Sequence, residues 1–486
     1  MANNTKSRVM SGLVWRFAER CGAQGIQFVV SVVLARILSP SDYGMIGLLT
    51  VFIAISNVFI NSGFGQALVQ KKNADKLDFS SVFYFSIGMS LFIYALLFFT
   101  APMIANFYNE AALKNVIRVL AVTVIIGAVN GVQQAYVQRT MQFKRFFFAT
   151  LFGTILSAFT GIFAALQGWG VWALVIQQLT NQIFDTIVLW VTVKWRPILA
   201  FSLKRMKKMF SFGWKLLCSS LLDTVYGNIY SLIIGKFFSP TDLGYYNRGK
   251  QYPMLVIQNV NESINSVIFP VLSEAQDDKV RFKSMVRRAI MTSTFLIFPA
   301  MAGLAAVSKP LVHIMLTDKW LPAVPFIQFC CFVYAFWPIH TANLQAIKAI
   351  GRSDIFLKLE ILKKIIGIAV LIITLPHGLM IMMWARCGTT IISSILNAYP
   401  NKKLINYSYW EQIKDMSPSL CLSLVMAVCV WAITLLPLSA PVQIIVQFIV
   451  GVVLYFGLAK LFKLECLDYV VNTVKGFNIN KCLLNK

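Results

Sequence analysis

Blocks of about twenty apolar residues recur along the whole chain, and a helix of that length is what crosses a hydrocarbon layer about 30 Å thick. No water reaches the backbone inside such a layer, so each block must bond its own N–H and C=O groups as a helix. Fourteen blocks can be read, the first at about 12 to 38 and the last at about 441 to 459, with twelve as the competing count. Turn residues fill the breaks, among them Gln167-Gly168-Trp169-Gly170, Pro376-His377-Gly378 and the run from Pro437 to Pro441. Composition agrees: 58% of the 486 residues are hydrophobic and 13% charged, about half the charged share of a soluble domain. The sequence predicts an all-α polytopic membrane protein.

The net charge of +25 raises the question of a nucleic-acid partner. The placement of the bases answers it. With a cytoplasmic N-terminus, about thirty of the 44 Lys and Arg fall in the cytoplasmic loops and C-terminal tail, and only Lys114, Lys309 and Lys319 in the opposite loops. That asymmetry is the positive-inside pattern, and it puts both termini in the cytoplasm. The first apolar stretch is broken by Arg16, Glu19 and Arg20 and no small-residue cleavage site follows, so it is not read as a cleaved signal. The nine cysteines show no C-x-x-C spacing and are read as reduced packing residues.

One turn is written twice. "SPSDYG" at 39–44 returns as "SPTDLG" at 239–244, so that Arg36 matches Lys236, Pro40 matches Pro240, Asp42 matches Asp242 and Gly44 matches Gly244. Ser-Pro-x-Asp is also a common helix start, but the matched flanks and register favour a duplication. Six helices separate the copies, an even number, so both enter the membrane in one orientation and the halves should be related by an axis along the membrane normal. The expected organisation is an N-lobe over 1–200 (helices one to six), a C-lobe over 201–400 (helices seven to twelve), and 401–486 as two further helices and a tail.

Polar stripes mark the helices expected to line a cavity. Arg16, Arg20, Gln24, Gln27 and Ser31 recur at spacings of three and four in helix one. Lys215, Ser219, Asp223, Tyr226 and Tyr230 do so in helix seven, and Arg248, Gln251, Gln258, Glu262 and Asn265 in helix eight, where apolar Leu255 interrupts the stripe. Charges facing lipid cost at least about 2.5 kcal/mol at the bilayer centre, so the stripes should face inward. Snorkelling to the headgroups is the competing account for Arg16, Arg20, Lys215, Arg36, Lys236, Arg248 and Lys250. For Asp223 and Glu262 it is an ion pair with a neighbouring base, and for Asp185 a plain hydrogen bond.

Enzyme signals are missing. "GYYNRGK" at 244–250 fits G-x-x-x-x-G-K, but Gln251 stands where a phosphate loop needs Ser or Thr, and no strand precedes it. His313, His340 and His377 lie too far apart for a metal motif, and H-E-x-x-H and G-x-S-x-G do not occur. No cofactor or metal is expected, and secondary transport leads.

Several segments resemble one family: "VLARILSPSDYGMIGLLTVFIA", "SGFGQALVQKK", "GWGVWALVIQQL", "FGWKLLCSSLLD", "LIIGKFFSPTDLGYYNRGKQYP", "PVLSEAQDD" and "MAGLAAVSKPLV". Together they are similar to the Wzx-type bacterial polysaccharide flippases, the colanic acid exporter branch above all, in the multidrug/oligosaccharidyl-lipid/polysaccharide superfamily. The resemblance runs from about residue 10 to 350. It implies two six-helix lobes with extra C-terminal helices in the inner membrane, moving an undecaprenyl-pyrophosphate-linked oligosaccharide to the periplasm, with a polymerase and export machinery as partners. Relatives often carry Asp where this chain has Tyr230, so that acid's role is not carried over; Asp223 is the nearest substitute.

Such a substrate needs cations for its diphosphate, amides and aromatic rings for its sugars, and lipid for its tail. Arg16, Arg20 and Lys215 are assigned to capture at the cytoplasmic mouth, Arg36, Lys236, Arg248 and Lys250 to reception outside, and Gln24, Gln27 and Gln258 to the sugars. Asp185, Asp223 and Glu262 are assigned to coupling with H+ or Na+, or to gating. A cation-coupled drug exporter would want more acids than bases, and a polyprenyl-linked sugar polymerase or ligase a large outer loop. On this reading, a reporter active only in the periplasm signals when fused within 102–115 and stays silent within 194–208, where six bases lie.

Overall fold

The structure is a computed structural model describing Trp15, 22–61, Leu68, Lys71 and 74–468, less the side chains of 61, 208–212, 215, 259–260 and 262–271. Packing divides the chain into two compact units, 1–247 and 248–486. Among the described residues, ten helical segments are long and apolar enough to cross a membrane. The protein is a multi-pass membrane protein.

The first unit contains α1 (Gly22–Ile37), α2 (Pro40–Asn61), α3 (Lys76–Tyr108), the pair α4 (Ala112–Leu120) and α5 (Val122–Arg139), α6 (Phe143–Leu166), α7 (Val171–Thr192) and α8 (Leu203–Phe237). The next helix, α9 (Pro240–Glu274), begins in the first unit and continues in the second. The boundary falls inside α9 because α8 packs against α2 and α3, which holds the start of α9 with them. The second unit continues with α10 (Lys279–Leu316), a 3-10 turn (Asp318–Ala323), α11 (Val324–Ala335), α12 (Trp337–Ala349), α13 (Ser353–Thr374), α14 (Leu379–Ile405), α15 (Tyr409–Ala432) and α16 (Ala440–Leu461).

Local chemistry sets the ends. Asp75 and Ser408 cap α3 and α15 in reciprocal boxes with Asp78 and Glu411, and Asn109 and Asn406 close α3 and α14 in the left-handed conformation that asparagine tolerates. The segment 244–250 has helical backbone inside α9, so its amides bond along the helix rather than around a phosphate.

Each unit has a core built alike. Leu68, Phe79, Phe83, Val132, Leu189 and Met206 cluster in the first, with Trp195 from the link to α8. In the second, Leu272, Phe282, Val286, Ile339, Ile405 and Met416 cluster around Tyr407, which lies in the link to α15. Beside each core an ion-pair clamp joins two helix starts, with the signs exchanged. In the first unit, Asp78 of α3, its side chain fully buried, meets Lys71 at 2.5 Å and Arg205 of α8 at 3.1 Å, and Arg205 also meets Asp75 at 2.5 Å. In the second, Lys283 and Arg287 of α10 meet Glu411 and Asp415 of α15 at 3.0 and 2.8 Å, and Tyr407 donates to Asp415. The Arg205 guanidinium beside Asp75 holds that carboxyl well below the usual carboxylate range.

Removing a buried partner strands two cations, so Asp78→Ala should lower stability by about 3 kcal/mol in thermal unfolding of the detergent-solubilised protein. The half-exposed Asp75 should matter much less. Its contribution is full above the ordinary value of 3.8 and is lost only as pH falls through the lower folded value.

Candidate functional site

The two written turns fold alike. Ser39 Oγ accepts from the Asp42 amide at 3.2 Å, while the Ser39 amide donates to Asp42 Oδ2 at 3.0 Å; the same bonds at Ser239 and Asp242 measure 3.1 and 3.2 Å. Proline at the first helical position needs no amide partner, which is why Pro40 and Pro240 fit. The turns also touch. A Cβ on Gly44 would sit 1.7 Å from the Pro240 carbonyl oxygen, and one on Gly244 would sit 2.0 Å from the Pro40 oxygen. Each glycine thus meets the other turn's proline carbonyl, a reciprocal crossing of α2 over the start of α9.

Around this crossing Tyr230 of α8 stacks on Tyr246 of α9 with centroids 6.5 Å apart, and Ser231 donates to Asn247 at 3.2 Å. Lys236 reaches the Phe107 carbonyl and lies 4.2 Å from that ring's centroid, so its ammonium caps the end of α3. Arg36 is exposed. Deeper in the first unit, Asn130 of α5 donates to Asp185 of α7 at 2.7 Å.

The second unit carries Arg248 and Lys250 on α9 and Arg386 on α14. Arg248 is 3% exposed, donates to Gln251 at 2.5 Å and stands 5.5 Å over Trp320. One residue on, α9 lies backbone against α11, since a Cβ on Gly249 would sit 2.5 Å from Phe326 Cβ. That approach puts Lys250 beside Cys330, where Arg386 of α14 also bears on the same thiol. Lys250 is half-buried and has no hydrogen-bond or ion-pair partner among the described residues. A polar seam continues through this unit: Thr341 donates to Asn261 at 2.7 Å, His340 meets Asn397 at 3.0 Å, and Asn343 bonds Asn401 and Gln412. An apolar groove of about 490 Å³ lies in the same unit, walled by Phe295 and Pro299 of α10, Met426 and Val430 of α15 and Phe448 and Tyr455 of α16.

The structure sets Arg248 against Gln251 and Trp320, sets Lys250 with Arg386 around Cys330, and ties Lys236 and Asp185 to partners in the first unit. Gln24, Gln27, Asp223 and Gln258 are exposed. Arg16 and Arg20, and the side chains of Lys215 and Glu262, lie outside the described residues.

The family described as polysaccharide biosynthesis protein matches residues 33–325, well over half of the chain. The chain belongs to this family. Among its relatives, the teichuronic acid biosynthesis protein TuaB of Bacillus subtilis (strain 168) is 26% identical over 354 residues, 72% of each chain. The lipopolysaccharide biosynthesis protein WzxC of Escherichia coli (strain K12) is 22% identical over 371 residues, 76% of this chain and 75% of that one. Among solved structures, the lipid II flippase MurJ in an inward closed conformation matches with a TM-score of 0.74 at 15% identity, over 93% of this chain and 98% of the other. An inward-facing multidrug resistance transporter of the MATE family matches with a TM-score of 0.63 at 15% identity, over 81% and 99%. These likenesses give this family member its fold.

Sequence reasoning passed over Arg386. The signal was present, since a lone arginine inside the apolar block at about 378 to 399 marks a functional candidate by its cost alone. The reciprocal crossing makes a sharp prediction. Gly44→Ala and Gly244→Ala should each abolish transport of the family's substrate while the protein still inserts, because the obstacle in each case is backbone that cannot swing aside. Gly88→Ala, where a Cβ meets nothing within 4 Å, should leave transport unchanged. Assays of glycan export and membrane abundance on the three variants check it.

Proposed function

We propose that the chain is a flippase for lipid-linked oligosaccharides, moving undecaprenyl-pyrophosphate-linked repeat units from the cytoplasmic to the periplasmic leaflet by alternating access, with no covalent step. The observation that carries the reading is in the second unit: Lys250 without a counter-charge among the described residues, with Arg386 bearing on the same site and Arg248 buried two residues earlier on α9. An unneutralised base in a membrane protein wants an anion, and a diphosphate supplies one. A cationic drug would be repelled there. The family membership and the relatives named for teichuronic acid and lipopolysaccharide biosynthesis support the same substrate class.

The roles divide by chemistry. Arg16, Arg20 and Lys215 capture the diphosphate at the cytoplasmic mouth, and Arg248, Lys250 and Arg36 receive it outside, Lys236 being engaged by the Phe107 carbonyl. Gln24, Gln27 and Gln258 hydrogen-bond the sugars. The apolar groove between α10, α15 and α16 suits part of the polyprenyl tail. Asp223, Glu262 and Asp185 couple transport to H+ or Na+, and the crossing at Gly44 and Gly244 closes the periplasmic side. The lobes of this cycle are 1–200 and 201–400, with 401–486 appended and both termini in the cytoplasm of a bacterial inner membrane. A polysaccharide polymerase and export machinery take the product onward.

The test compares export with membrane abundance in the same cells. Lys250→Glu, Arg248→Glu and Arg20→Glu should each cut glycan export at least tenfold at normal abundance, while Arg248→Lys, which keeps the cation and loses the two-pronged guanidinium, should do less harm. Lys250→Met is the structural control, since that side chain holds no partner to strand. Normal export by well-inserted Lys250→Glu and Arg248→Glu proteins would remove the diphosphate reading.

A further inference from the structure

A second lipid-shaped feature lies in the first unit, lined by residues to which no role has been given above. Between α6 and α7 runs a slot of about 780 Å³. Phe148, Phe152 and Leu156 wall it on one helix, and Phe184 and Val188 on the other. Phe148 and Phe152 are 37% and 52% exposed, so the slot is open along its length rather than sealed in the core. Its polar mouth holds two cations. Lys144 stands 5.4 Å from the Trp15 ring centroid and 5.9 Å from that of Phe148, and Arg145 reaches across to the Thr192 carbonyl at the end of α7. Gln142 completes the mouth, with an Oε1 that accepts no hydrogen bond among the described residues. No carboxylate lines the slot among the described residues.

We infer that this slot is a binding site for an anionic glycerophospholipid of the cytoplasmic leaflet, of the phosphatidylglycerol kind. Three features select that occupant. The mouth is basic and uncompensated within its lining, and basic pockets between membrane helices on the cytoplasmic side are sites for anionic headgroups. Arg145 has donors beyond the one spent on Thr192, and together with Lys144 it can take a phosphate diester. The reach of the slot fits a phospholipid chain. From Lys144 to Leu156 an α-helix rises about 18 Å, close to the half-thickness of about 15 Å that one leaflet offers. A polyprenyl tail of the flipped substrate would outrun it. The ring of Trp15 under the Lys144 ammonium suits the headgroup level, where amphipathic aromatic rings settle.

The experiment uses the full chain reconstituted in vesicles of equal phosphatidylglycerol and phosphatidylethanolamine, extracted in mild detergent, with co-purifying lipid quantified by mass spectrometry. The wild-type protein should retain phosphatidylglycerol over phosphatidylethanolamine by roughly tenfold or more. The double variant Lys144→Gln/Arg145→Gln should fall to near parity. Val188→Phe, which fills the slot and leaves both cations, should lose the preference as well. Parity in the wild-type protein would overturn the site, as would an undiminished preference in the charge variant. Retention by Val188→Phe would also overturn it, since the lipid would then follow a basic surface and not the slot. Added undecaprenyl phosphate displacing phosphatidylglycerol at equimolar amounts would assign the slot to the transported lipid instead. Should the double variant insert poorly, Arg145→Lys with Lys144→Gln keeps one cation and should give an intermediate ratio.

Discussion

The crossing of α2 over the start of α9 is possible only where two helices present bare backbone to one another. In lipid no hydrophobic force pushes helices together, so association depends on close packing and on satisfied polar groups, which small residues at contact points permit. Gly44 and Gly244 supply that contact twice, each against the other turn's proline carbonyl. Once the crossing is fixed, the Tyr230–Tyr246 stack and the Ser231–Asn247 hydrogen bond follow from register, and α8 comes to lie against α2 and α3.

Much of this was legible in the amino-acid order. Ser-Pro-x-Asp states a helix start by its own chemistry, and its return two hundred residues away predicts a second turn of the same build; the folded turns agree to within about 0.2 Å in their capping bonds. The apolar blocks became helices because a dehydrated backbone has no alternative. That the two turns would meet each other was not legible, since periodicity describes one helix at a time and a crossing belongs to two. For the same reason α8 and the start of α9 pack with the first unit, an association that no local pattern announces.

The candidate site was legible in kind more than in detail. A base inside an apolar block is visible by its cost, and Lys250 and Arg386 both bear on Cys330. Lys236 occupied the matching register to Arg36 and yet spends its ammonium on the Phe107 carbonyl, a partner 129 residues away in sequence. Asp185 carries a hydrogen bond from Asn130, 55 residues away. Arg386 escaped notice because it stands alone on its helix, with no stripe to draw the eye; its meaning arises only where α14 nears Cys330 and Lys250.

The exchanged signs of the two clamps bear on how such a chain is made. In the first unit the acids stand on α3 and the base on α8; in the second the bases stand on α10 and the acids on α15. Exchanging helices between the two clamps would bring like charges together. Were α15 to settle in the place of α8, carboxylates would face carboxylates; were α8 to settle in the place of α15, bases would face bases. Like charges at contact distance disfavour both errors. The inversion therefore works as a keying of charge, by which each clamp accepts its own pair of helices and rejects the other's.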